Sequence, residues 1–180
     1  MTFPISLDEV FELRILTEAD AATFFAAITK NLSHLDPWLH WSDWLKSEAD
    51  VKNYLAEYDR RGGFHAGIWQ GDQLAGGIVS RGIDQRSKKT EIGYWLDEDF
   101  VGRGLVSRAT RKIITYLFQQ KGLHRVEIVC AENNSRSRAI PERLGFTLEA
   151  IMRESEWNEN QFVNQALYSL LEQEWEEIQP

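Results

Sequence analysis

Three groups of residues in this 180-residue chain have types and spacing that could do chemistry. The first is Gly102-Arg103-Gly104, which follows the apolar run Thr90-Glu91-Ile92-Gly93-Tyr94-Trp95-Leu96 and precedes a helical pattern starting at Leu105. A strand delivered into a glycine-bearing helix start presents free backbone N–H groups and the positive end of the helix dipole, which suit a phosphate or diphosphate. A P-loop would need Gly-Lys-Ser/Thr where this loop has Gly104-Leu105-Val106-Ser107, and the dinucleotide fingerprint needs a third glycine at Ser107, so neither ATP nor NAD is favoured. Charge adds to the phosphate reading: Arg103, Arg108, Arg111, Lys112, Lys121 and Arg125 follow Gly102 with no acid among them, in a chain of formal charge -8. A solvated basic helix face would show the same pattern, and glycine pairs also serve ordinary turns.

The second group is aromatic. Leu32 to Trp44 concentrates Trp38, Trp41 and Trp44 in a polar stretch where Pro37 should interrupt helix formation, so a loop is predicted. Two readings are open: the rings cap the core, or Trp38 and Trp41 wall an acceptor pocket. The third group is the set of soft and titratable side chains. Cys130 lies on an alternating apolar segment and reads as a small core residue rather than a nucleophile. His34, His40, His65 and His124 are scattered without metal-ligand spacing, so no metal is expected.

These residues need elements to position them. Phe11, Leu13 and Ile15 alternate as a strand, Thr17-Glu18-Ala19-Asp20 resembles a capping box, and Ala21, Phe24, Phe25 and Ile28 form a helix stripe. Ser47 caps a second helix that Gly62-Gly63 ends. Strands over 64–70 and 74–80 flank Gly71-Asp72, a hairpin turn, and the strand at Thr90 completes an antiparallel meander. Leu105, Ala109, Ile113 and Leu117 recur every four residues in a long helix ended by Gly122, and Val126, Ile128 and Cys130 form the next strand. That strand, helix and strand make a crossover with parallel partners. A helix over 134–144, strands over 147–156 and 162–171 around Asn158-Glu159-Asn160, and a solvated helical tail over 172–180 follow.

The composition, 43% apolar with 12% aromatic residues, fits one globular domain spanning 1–180. The acidic balance disfavours a nucleic-acid partner. No segment reaches the roughly 20 apolar residues that span a bilayer. One cysteine excludes an intrachain disulfide, and a reducing, cytoplasmic setting is expected.

The Thr90 strand, the glycine loop with its helix, and Asn133-Asn134-Ser135-Arg136-Ser137-Arg138-Ala139-Ile140-Pro141-Glu142-Arg143-Leu144-Gly145-Phe146 together resemble the GNAT superfamily of acyl-CoA-dependent N-acyltransferases. Leu35-Asp36-Pro37-Trp38-Leu39, Glu91 to Leu96 and the tail Tyr168 to Trp175 are similar to the branch of ribosomal-protein N-terminal acetyltransferases. The resemblance covers nearly the whole chain and implies an α/β fold: a mixed, mostly antiparallel sheet flanked by helices, with its parallel crossover at the acetyl-CoA site.

It also implies acetyl-CoA as co-substrate and a primary amine, such as a ribosomal protein N-terminus or a small amine, as acceptor. The branch often dimerises, so a homodimer joins the expectations. In the family's loop pattern, Gln/Arg-x-x-Gly-x-Gly/Ala, Gly104 matches the central glycine, whereas Val101 and Val106 depart from the flanking positions. Backbone N–H groups of Gly102, Arg103, Gly104, Val106 and Ser107, supported by the charges of Arg103 and Arg108, would hold the CoA diphosphate. The main chain of Tyr94, Trp95 and Leu96 would line the pantetheine arm. Glu91 matches a position where some members carry a glutamate base; an ion pair with Lys88 or Lys89 is its structural alternative. The family's usual tyrosine acid is replaced by Pro141, and Ser137 fits a serine that faces the CoA sulfur, or it bonds backbone as an ordinary helix residue. Asn134 would hold the pantetheine, cap its helix, or do both. Direct attack by the amine through a tetrahedral intermediate needs fewer special residues than a covalent enzyme.

Overall fold

A computed structural model describes residues 2–158 and 161–178. The chain opens with β1 (Ile5–Ser6) and β2 (Phe11–Ile15), then a 3-10 turn at Glu18–Asp20 that leads into α1 (Ala21–Lys30). The capping box predicted there is present: Asp20 accepts from the Thr17 backbone and hydroxyl. Three further helices follow, α2 (Leu32–Leu39), α3 (Trp41–Trp44) and α4 (Glu48–Arg60). The meander is β3 (Phe64–Gln70), β4 (Gln73–Asp84) and β5 (Lys89–Leu96), after which come α5 (Leu105–Gln119), β6 (Arg125–Ala131) and α6 (Ser135–Arg143). β7 (Thr147–Asn158), β8 (Gln161–Leu171) and α7 (Glu172–Ile178) complete the chain. Of the predicted Asn158-Glu159-Asn160 turn, Glu159 and Asn160 lie outside the described residues, as do Gln179 and Pro180 of the tail.

The strands form one eight-stranded sheet in the order β1-β2-β3-β4-β5-β6-β8-β7, antiparallel except for β5 and β6. Successive residues of β5 point to opposite faces, so Ile92 joins one core with α5 while Trp95 joins a second with α1 and α4. α5 buries the predicted Leu105, Ala109, Ile113 and Leu117, and adds Val106, Thr110, Ile114 and Phe118. Each such aliphatic burial contributes about 1.5–3 kcal/mol before chain entropy is counted. Gly77 lets the second core close: a Cβ there would lie 2.7 Å from ring nitrogens of both His65 and Trp95.

Three expectations need correction. The Leu32–Trp44 stretch is helical rather than a loop, because Pro37 sits near the end of a short helix and forfeits a single intrahelical bond before His40, at φ 49°, breaks the helix. Trp41 is a core residue, packed on Phe24 and Trp95 at 5.7 and 5.6 Å between ring centroids. The acidic tail is not fully solvated, since Trp175 is buried beneath the guanidinium of Arg111.

Candidate active site

β5 and β6 pair only at Lys89↔Arg125, Thr90↔Val126 and Glu91↔Glu127. Beyond Glu91, β5 stays on β4 while β6 stays on β8, so the two strands part and leave their facing backbone edges open. The result is a cleft of about 1000 Å³ with Ile92 to Leu96 on one wall and Ile128 to Ala131 on the other. One end is closed by the glycine loop, α5 and α6; the other runs to α2 and the β7–β8 hairpin. Asn158 holds that hairpin in place by donating from Nδ2 to the carbonyl of Pro37 at 3.0 Å.

The glycine-loop end is built for an anion. Gly102 and Gly104 take φ values of 84° and 68°, and Gly104 is the N-cap of α5 without any side-chain cap. The N–H groups of Leu105, Val106 and Ser107 therefore have no acceptor among the described residues, the first intrahelical bond being Arg108 N–H to Gly104 O. Val106 buries its side chain in the core beneath the loop, so its departure from the family pattern leaves the backbone donors in place. The exposed Val101 lines the cleft and adds no charge there. Arg103 donates to the carbonyl of Asp99 at 3.0 Å, and Arg108 pairs with Asp8 at 2.9 Å. Arg136 and Arg143, which the sequence reading did not single out, also line this end.

The loop is held from below. Lys30, at the end of α1, donates to Asp97 at 2.8 Å and to Asp99 at 2.6 Å, which pushes the Lys30 ammonium up to about 12. Burial alone would raise the Asp97 carboxyl, but donors from Lys30 and from the Asp99 backbone hold it below its ordinary value. The Asn31 side chain accepts from the Glu98 N–H at 2.9 Å.

Midway along the cleft, Tyr94, Cys130 and Ser137 come together. Asn134 caps α6 by accepting from the Ser137 N–H at 3.1 Å, which realises one of its two expected roles. The Tyr94 hydroxyl donates to the Ser137 carbonyl at 2.8 Å and accepts from the Ser137 hydroxyl at 3.3 Å. Ser137 thus offers a polarised hydroxyl to this part of the cleft, with a phenol beside it even though the helix has Pro141 where a tyrosine was expected. Burial pushes the Cys130 thiol up, so it is a poor nucleophile. Trp95 lines the cleft too, but its ring is buried, with Nε1 donating to His65.

At the opposite end, the lining includes His34, Trp38, Arg81, Glu156 and Gln165. Glu91 stands at the last paired position, where the strands part, and is outside the lining. Its ion pair is with Arg81 at 3.2 Å rather than with either lysine; Lys89 pairs with Glu127. Burial raises the Glu91 carboxyl against the pull of Arg81, and the charges of Glu127 and Glu156 raise it further. Glu156, half-buried in the cleft, accepts from Gln165 Nε2 at 2.7 Å, and Gln165 accepts in turn from Ser155 at 3.1 Å. This oriented carboxylate was missed in the sequence because nothing local marks it: it becomes a site residue only through the pairing of β7 and β8. Trp38 is exposed at this mouth, whereas Trp41 lies in the core.

The open strand edges, the uncapped helix start and the surrounding arginines fit a long thioester ending in a diphosphate nucleotide, as the resemblance implies. Comparison with known proteins agrees. The chain is 34% identical to YdaF of Bacillus subtilis over 179 residues, covering 97% of this chain and 98% of the relative. It is 31% identical to the ribosomal-protein-serine acetyltransferase of Escherichia coli, covering 94% and 97%. The solved structure of RimL, a ribosomal alpha-N-protein acetyltransferase in complex with coenzyme A, superposes with a TM-score of 0.88 at 26% identity, covering 93% of this chain and 97% of that one. The acetyltransferase (GNAT) domain matches residues 11–147, and the chain belongs to that family of acetyl-CoA-dependent acetyltransferases.

Proposed function

We propose that this acetyltransferase modifies the N-terminal amine of a protein, with a ribosomal protein as the acceptor, by direct attack of the amine on the thioester. The observation that carries the reading is the oriented carboxylate of Glu156 at the end of the cleft opposite the glycine loop. An amine near neutral pH is an ammonium; it must lose a proton before it can attack, and the departing thiolate gains from receiving one. Glu156 accepts the first proton, directly or through water. Glu91, raised by burial and by its acidic neighbours, is the second carboxylate at the parting of the strands and shares that role. Ser137 turns its hydroxyl from Tyr94 to the developing thiolate. Cys130 takes no part in bond making. The ribosomal acceptor rests on the relatives named above.

Thiol release from acetyl-CoA tests the reading, measured with peptides starting in Ser or Ala and, separately, with small amines. Acceleration by the peptides supports it; acceleration by small amines alone moves the acceptor to that class, and none with either leaves an acyl-CoA-binding module. Glu156→Gln and Glu91→Gln should lower kcat more than they raise KM for acetyl-CoA, and Ser137→Ala should do so more mildly. Unchanged kcat in any of these variants removes that residue's role.

A further inference from the structure

The cationic end of the cleft contains more positive charge than a diphosphate cradle uses. Arg103 is engaged with the Asp99 carbonyl and lies over the Phe100 ring, and Arg108 is neutralised by Asp8. Arg136 and Arg143 are the two cleft-lining arginines on α6, and neither has a carboxylate partner among the described residues. Seven residues separate them, two full turns, so both project from one helix face about 10 Å apart along the axis. Ala139 and Ile140 lie between them on that face and also line the cleft. Arg143 donates from Nη1 to the Ser107 hydroxyl at 2.9 Å, which sets its guanidinium against the first turn of α5, beside the free N–H groups. Their acidic neighbour Glu142 is turned away, accepting from the Tyr168 hydroxyl at 2.7 Å.

We propose that Arg143, supported by Arg136, forms a second anion subsite that reads the 3′-phosphate of coenzyme A. The ribose follows the diphosphate directly, so a dianion at its 3′ position is carried next to the diphosphate, at the end of the cleft that Arg136 and Arg143 line. A guanidinium fork is suited to phosphate, and the neutral Ser107 partner orients it without cancelling its charge. In a chain of charge -8, a site for so highly charged an anion needs uncompensated cations of this kind.

Calorimetric titration of the protein with CoA and with 3′-dephospho-CoA reads the subsite without reference to turnover. The wild type should bind CoA about tenfold or more tightly than dephospho-CoA, as one charge-assisted phosphate contact implies. Arg143→Ala should bring that ratio close to one while leaving dephospho-CoA affinity unchanged, Arg143→Lys should restore part of it, and Arg136→Ala should reduce it by a smaller factor. Raising the salt concentration should shrink the wild-type ratio. Equal affinities in the wild type overturn the proposal, as does an Arg143→Ala variant that weakens both ligands alike, which would place Arg143 on the diphosphate instead. Absence of binding by either ligand would overturn the cofactor assignment itself.

Discussion

His65 should make the protein lose stability in mild acid. Its ring is buried among Phe24, Tyr54 and Trp95, with Nε2 accepting from Trp95 Nε1 at 3.3 Å and Nδ1 without a partner among the described residues. This places the proton on Nδ1. A second proton on Nε2 would displace the Trp95 donor and put a charge where no carboxylate among the described residues pairs with it, and burial accordingly depresses the ring from 6.5 to about 3. A depressed histidine leaves the folded state neutral while the unfolded chain takes up a proton below 6.5. Stability is therefore full above that value and declines as the pH falls toward about 3. Those two values imply a loss of about 2 kcal/mol between pH 7.5 and pH 5. With a urea slope of about 2 kcal/mol/M for a protein of this size, the midpoint should fall by about 1 M. His65→Gln keeps an acceptor for the Trp95 N–H and cannot titrate, so its own pH-dependent loss over this interval should be smaller by that amount, whatever its absolute stability. Equal losses in the two proteins would refute the argument. An NMR titration of the wild-type ring gives the same answer without any variant: its nitrogen shifts should stay flat down to pH 5.

Further outcomes follow from the cleft. Lys30→Ala leaves the buried Asp97 carboxylate without its ammonium and frees the segment that leads into the glycine loop. KM for acetyl-CoA should rise severalfold with kcat nearly unchanged; the reverse split would show that the clamp serves chemistry and not the loop. Gly104→Ala meets no atom within 4 Å, so its cost is the left-handed backbone alone, about 1–2 kcal/mol. That cost should appear as a lowered Tm if the loop keeps its shape and as weaker CoA binding if it does not, and a thermal shift measured with and without CoA should reveal one or the other. Cys130→Ala should retain kcat to within about twofold, because a thiol raised by burial takes no part in direct attack; abolished turnover would instead indicate an acyl-cysteine intermediate.

What could be read in the sequence follows from the range over which each signal acts. The capping box at Thr17, the Gly71-Asp72 hairpin and the four-residue repeat of α5 are local patterns, and each folds as its pattern requires. Gly104 belongs with them: its left-handed φ and the free N–H groups after it are properties of four consecutive residues. Pro37 misled because the rule against proline concerns helix interiors, and whether a position is interior depends on where the helix ends. Trp41 and Trp175 misled because a polar neighbourhood in sequence says little about which ring a sheet will cover.

The cleft itself is a tertiary property, since it exists where the pairing of β5 with β6 stops after Glu91 while both strands continue on other partners. Residues contributed by the walls of β5 and by the start of α6 carry motifs, so Tyr94, Asn134 and Ser137 could be named in advance. Glu156 could not: a register irregularity between Met152 and Glu156 in the pairing of β7 with β8 precedes its contact with Gln165. Regular pairing carried on from Met152↔Gln165 would keep Glu156 on the same face but set it opposite Gln161 instead of Val163, farther along β8 from Gln165, and turnover should then fall although every recognisable motif remained.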